Sequence, residues 1–127
     1  MTKVLLLDFA KIIILRDDIA EIVVDEGVEM TSAMVDQYHT CLIENLLSPF
    51  SVLINKINTY TYDFQAQLKI GTIENIHAMA VVTYSRHAEL ATDVMDKTMP
   101  RENKWNMQLF SERNVALEWL KEQQSDL

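Results

Sequence analysis

From Thr31 to the end of the chain, apolar residues switch repeatedly between helical spacing and short continuous runs. This alternation limits the fold more than any motif does. Val35, Tyr38, Leu42 and Leu46 recur at helical spacing with Met34 and Cys41 beside them, while Asp36, Gln37, Thr40 and Glu44 face away. Thr31 or Ser32 supplies the N-cap, and Ser48-Pro49 stops the helix. "FSVLINKI" then reads as a strand. A second helix is expected with Thr61 as its cap, Asp63 in the first turn, Phe64 and Leu68 on the apolar side and Gly71 at C′. "HAMAVVTY" is apolar on both faces, as a central parallel strand would be. Ser85 caps a third helix carrying Ala88, Ala91, Val94 and Met95, stopped before Pro100. "NMQLF" is a short strand. Ser111 then caps the final helix, where Phe110 and Val115 occupy staple positions and Leu117, Trp119 and Leu120 supply apolar surface.

Before this alternation stand "FAKIIIL" and "IAEIVVDE", two strands joined by a tight turn through Asp17-Asp18, with "KVLLLD" as a third strand or the front end of the first. The order implies an α/β fold: a mixed sheet with an N-terminal β-hairpin, followed by alternating helices and mostly parallel strands joined by right-handed crossovers. At 127 residues the chain is expected to be a single domain, 1–127.

Charge narrows the partners. The net charge of −8 repels a phosphate backbone, so nucleic acid is a poor expectation. The local group Lys97, Arg101 and Lys104 is diluted by Asp96 and Glu102 and reads as a solvated loop. The lone Cys41 excludes an internal disulfide, favours a reducing compartment and reads as an inert core thiol. Lys3 precedes Val4-Leu5-Leu6-Leu7, but Asp8 cuts that run short of a signal-peptide core. No segment approaches the roughly 18 apolar residues of a membrane span, so a cytoplasmic protein is expected.

A site would have to lie where strands hand over to helices. Corners at Ile57–Thr61, Tyr84–Arg86 and Phe110–Ser111 should open on one edge of the sheet, beyond the carboxyl ends of its strands. Each delivers a helix N-terminus able to receive an anion or a phosphorylated side chain, and Arg86 could add a bidentate contact. Asn58, Thr59, Tyr60, Thr61, Ser85 and Arg86 are therefore the candidate partner- or ligand-binding residues. The bland alternative is that Thr61 and Ser85 only cap and that one or both tyrosines pack on the sheet.

Catalytic chemistry finds little support. His39 and Cys41, two apart on a helix, point to different faces, and His77 and His87 are scattered, so no metal site is expected. Ser85 and His87 are badly spaced for a nucleophile and base, and no serine sits in a G-x-S-x-G elbow. With Gly27 and Gly71 the whole glycine supply, there is no phosphate loop and no nucleotide cofactor is expected. Asp17-Asp18 and Asp25-Glu26 read as solvated turns. Met30, Met34, Met79, Met95, Met99 and Met107 read as core filler, or as the lining of an apolar cavity.

The hairpin start, the three helix–strand alternations and the closing "LFSERNVALEWLKEQ" resemble compact STAS-type proteins, relatives of the sporulation anti-sigma-factor antagonists. The likeness extends from Phe9 to Gln123 and is nearer to a bacterial branch of unassigned function, in which an "INKINTYTY"-like corner precedes the second helix. In the antagonists that corner holds an Asp-Ser-Ser/Thr-Gly-type motif whose serine is phosphorylated to break a complex. Here Thr59, Thr61 and the tyrosines stand in its place. The resemblance implies a non-enzymatic regulatory module that docks a protein partner through the corner edge. The alternative is a carrier or sensor of a small apolar, lipid-like ligand between helix and sheet, and a homodimer is possible. A closed pocket of roughly 300 Å³ would favour the carrier, and an exposed apolar patch at the edge would favour the partner surface.

Overall fold

The computed structural model describes residues 3–70, 72–98 and 106–127, with the backbone alone for 94–98. Six strands form the main sheet: β1 (Lys3–Leu6), β2 (Ala10–Arg16), β3 (Ile19–Val24), β5 (Phe50–Lys56), β7 (Ile76–Thr83) and β8 (Met107–Phe110). Their spatial order is β1-β2-β3-β5-β7-β8. β1, β2 and β3 pair antiparallel, and from β3 onward every pairing is parallel. "KVLLLD" therefore holds a strand of its own, and the expected mixed sheet is present.

Strand alternation sends residues to two cores. Ile22, Phe50, Val52, Ile54, Met79 and Val81 face one side, where α1 (Ser32–Asn45) buries Val35, Tyr38 and Leu42, and α2 (Phe64–Lys69) buries Ala66. Ile19, Leu53, Ala78, Ala80 and Val82 face the other, beneath Ala116 and Leu120 of α4 (Arg113–Ser125). Burying a side chain such as Leu42 or Leu120 contributes about 1.5–3 kcal/mol, so these two layers carry the fold. α3 (Arg86–Thr98) follows β7. Met30 and Met79 are buried as filler, and Met34 and Met107 pack at the margin of the first core.

Two short strands escape sequence reading. β4 (Glu29–Met30) and β6 (Thr61–Tyr62) form a separate parallel pair, in register Glu29 to Thr61 and Met30 to Tyr62. This moves the start of α2. Thr61 is not its cap, because its backbone is extended and its N–H donates to the Val28 carbonyl at 3.0 Å. Asp63 is the cap, its carboxylate accepting from the Ala66 N–H at 2.8 Å. Phe64 is exposed rather than inward.

Other boundaries shift as well. Thr31 caps α1 as expected, but the helix closes at Leu46, before Ser48-Pro49, where the chain becomes extended. Ser111 does not cap α4: Glu112 holds that position without a side-chain bond. The staple fails with it, since Val115 is exposed and Phe110 packs instead on Trp119, ring centroids 5.5 Å apart. Lys97 belongs to α3 rather than to a loop. Gly71, Met99, Arg101 and Lys104, and the side chains of Val94 and Met95, lie outside the described residues.

Candidate functional site

The parallel run from β3 to β8 brings the segments that follow Val24, Lys56, Thr83 and Phe110 to one rim of the sheet. Lys56 lies opposite Thr83, and Val82 opposite Phe110, so the three expected corners are neighbours.

The first corner is fastened to the loop after β3. Asn58 Nδ2 donates to the Val24 carbonyl at 3.0 Å, and the Thr59 N–H donates to Glu26 Oε2 at 2.6 Å. The Thr59 carbonyl accepts from the Gly27 N–H at 2.7 Å. Gly27 turns at φ +78°, where a residue with a Cβ is strained. Glu26 thus holds a corner rather than merely meeting water. Asn58 and Thr59 spend these groups on shape.

Tyr60 and Tyr62 pack inward on the first core. Their hydroxyls are 3.0 Å apart and their rings meet edge to face at 5.4 Å. Burial raises the Tyr60 phenol well above its ordinary value and pushes Tyr62 up to about 12, so both stay neutral. Thr61 between them points to solvent.

At the second corner Ser85 does cap: its Oγ accepts from the Ala88 N–H at 3.1 Å. Ser85 and Arg86 are exposed. So are two large apolar side chains, Ile57 (62% exposed) and Tyr84 (51%), which immediately follow the paired residues Lys56 and Thr83. Tyr84 also stands near enough to Arg113 to interact with it electrostatically.

Two constellations at this rim went unread in the sequence. On the α4 side, buried Glu21 receives Arg113 Nη2 on Oε1 at 2.7 Å and Nε on Oε2 at 2.9 Å, with Asn55 Nδ2 donating to Oε2 at 2.8 Å. Burial pushes the Glu21 carboxyl up, but these donors outweigh it and hold the group below its ordinary value. On the opposite side, Lys56 Nζ donates to Thr92 Oγ1 of α3 at 2.9 Å and stands 5.5 and 5.6 Å from the ring centroids of Tyr60 and Tyr62. Burial pushes this amine down to about 8. Strand alternation was the available signal, since Val52, Ile54 and Lys56 share one face, and Leu53 and Asn55 the other.

Beneath the tyrosines lie two cavities of about 10 Å³ each, room for one water. Ile54, Tyr62 and Ile70 border both. Tyr38 lines the first, and its buried hydroxyl has no hydrogen-bond partner among the described residues. An open trough of about 500 Å³ lies elsewhere, between Asp17, Pro49 and Leu127. Among the described residues no three His, Cys, Asp or Glu side chains group as metal ligands, and no helix is long and apolar enough to cross a membrane.

No family model matches the chain, and no curated protein is similar to it. A solved structure is: an uncharacterised protein of the DUF3478 family with a SpoIIAA-like fold, from Shewanella loihica PV-4. The two are 15% identical over 94% of this chain and 92% of that one, with a TM-score of 0.52. The fold is therefore SpoIIAA-like, the STAS layout that the order of elements implied.

Proposed function

We propose that the chain is a non-enzymatic, cytoplasmic regulatory module that docks a protein partner through the carboxyl edge of its sheet. The observation that carries this reading is the pair Ile57 and Tyr84, two large apolar side chains left exposed just past the paired ends of β5 and β7. Exposed apolar surface framed by polar groups is the usual mark of a recognition site. Here Thr61, Ser85 and Arg86 supply the polar frame, while Asn58, Thr59 and Tyr60 hold the corner in shape. Arg86 offers a guanidinium suited to a partner carboxylate or phosphate. Among the described residues the cavities beneath the tyrosines hold about 10 Å³ each, against the roughly 300 Å³ of enclosed room that a carrier needs.

The test is photo-crosslinking in cells, with the probe placed at Tyr84 and, as a control, at the exposed Thr40 of α1. A discrete protein adduct from Tyr84, absent from Thr40 and weakened by Arg86→Glu, supports the docking edge. Equal labelling from both positions, or none from Tyr84, sinks it.

A further inference from the structure

We propose that β1 is a self-association edge, which pairs antiparallel with β1 of a second copy and makes one continuous sheet across the two chains. It stands apart from the docking edge, because β2 and β3 separate β1 from β5 and β7. Among the described residues no strand pairs with the outer side of β1. The Leu7 N–H donates to the Ala10 carbonyl at 2.8 Å. Alternation therefore turns the backbone groups of Lys3 and Leu5 toward β2 and those of Val4 and Leu6 outward. An edge that offers bare N–H and C=O groups is a template for another strand. β1 carries neither a proline nor a bulge to blunt it, and the side chains of Val4 and Leu6 are 50% and 76% exposed.

The strand is complementary to itself. About a twofold axis through Leu5, each Val4 lies opposite the Leu6 of the other copy, the register in which both outward residues of β1 meet outward residues. Each such pair exchanges two backbone hydrogen bonds. Leu5 and Leu7 pack on the first core, so Val4 and Leu6 leave the sheet on its other side. There the exposed aliphatic groups of the two copies close over one another, beside the half-buried Ile13 that pairs with Val4. Charge fits as well. The same axis sets Lys3 opposite the other copy's Leu7, and Leu7 borders an open trough that also carries Asp36 and Glu44 of α1. Asp36 is engaged by Lys69, so Glu44 is the carboxylate that receives the incoming ammonium. At a net charge of −8 per chain, a cation set against an acidic trough lets two like-charged copies approach.

The experiment is sedimentation equilibrium of the full chain, carried without an N-terminal tag. A short strand makes a small interface, so a dimer is expected at about 100 µM that dissociates on roughly hundredfold dilution. Leu6→Pro removes an outward N–H that makes no bond to β2, and should weaken association roughly tenfold or more. Lys3→Glu should weaken it too, and Glu44→Lys added to Lys3→Glu should restore it. Register is read separately by air oxidation in a Cys41→Ser background. Leu5→Cys, on the axis, brings two Cα atoms to about 4.5 Å, within disulfide reach. It should therefore crosslink faster than Leu6→Cys, although Leu6 is the more exposed residue. A chain that stays monomeric at that concentration overturns the proposal. So does a dimer that Leu6→Pro leaves intact, or crosslinking that is faster at Leu6→Cys. The cysteine comparison decides alone if Leu6→Pro does not fold.

Discussion

Arg113 is the residue on which the α4 side of the rim depends. Replacing it with Ala leaves Glu21 buried with only Asn55 as donor, and removing one partner of a buried pair is far costlier than exchanging both. Because the Arg113 side chain is 37% exposed, the expected loss is at the lower end of that class, about 2–3 kcal/mol by urea unfolding at pH 7. The folded Glu21 titrates below its unfolded value, so its contribution is complete above that value and disappears as pH falls through the folded one. The gap between wild type and Arg113→Ala should accordingly narrow as pH falls through the carboxylate range. His39 works in the opposite chemical sense. It is 6% exposed, its Nε2 has no partner among the described residues, and burial lowers it to about 4. The unfolded chain then binds a proton between about pH 6.5 and 4 that the folded chain refuses, so stability falls as pH falls through that window. From pH 7 to pH 5 the loss should be about 2 kcal/mol, and His39→Leu should remove that portion of the slope in paired denaturation curves. Neither role was legible in the sequence. Helical spacing marks the Val35-Tyr38-Leu42 stripe but not how wide it is, and an isolated Glu in a strand does not announce an arginine that is distant in sequence.

Among the elements, β4 and β6 show where local pattern stops informing. A two-residue strand has no period, and its pairing is decided by Val28 and Met30 carbonyls that lie far off in sequence. Thr61 followed by Asp63 offers two acceptable caps, and the choice falls to the tyrosines. Starting the helix at Thr61 would take Tyr62 out of the extended path that lets it join Tyr60 in the core. The assignment has a direct thermodynamic test. Asp63→Ala should cost about 1 kcal/mol through the lost Ala66 N–H bond, whereas Thr61→Ala should stay within about 0.5 kcal/mol of wild type. Comparable losses in both variants would restore Thr61 as a capping residue. A similar ambiguity moved the start of α4. Ser111 has the right side chain for a cap, yet the helix begins at Arg113, whose guanidinium is already committed to Glu21. Long apolar runs left no such choice, so β2, β3, β5 and β7 stand close to where their composition puts them.

For the whole molecule, topology was legible because it follows from order: alternating helices and apolar strands leave few ways to close a parallel sheet. The rim was legible for the same reason. What fills it was not, since exposure of Ile57 and Tyr84 depends on how far each flanking element reaches past the sheet. Charge acts at this scale too, and here the sequence alone sets the sign. With a net charge of −8, the folded chain holds like charges closer together than the unfolded chain does. Against this stand, among the described residues, the exposed pairs Arg16–Asp18, Lys69–Asp36 and Lys121–Glu118, of the kind that contributes about 0–1 kcal/mol each and weakens in salt. The Glu21–Arg113 pair is shielded by its burial and should respond less. If diffuse repulsion outweighs these exposed pairs, raising sodium chloride from about 0.02 to 0.3 M, which shortens the screening length from roughly 20 to 6 Å, must stabilise the fold. Thermal unfolding should then move up by a few degrees, on the scale at which 1 kcal/mol shifts a domain of this size. A midpoint that falls with salt would place the balance with the surface pairs instead, and would make their acidic partners the next residues to neutralise.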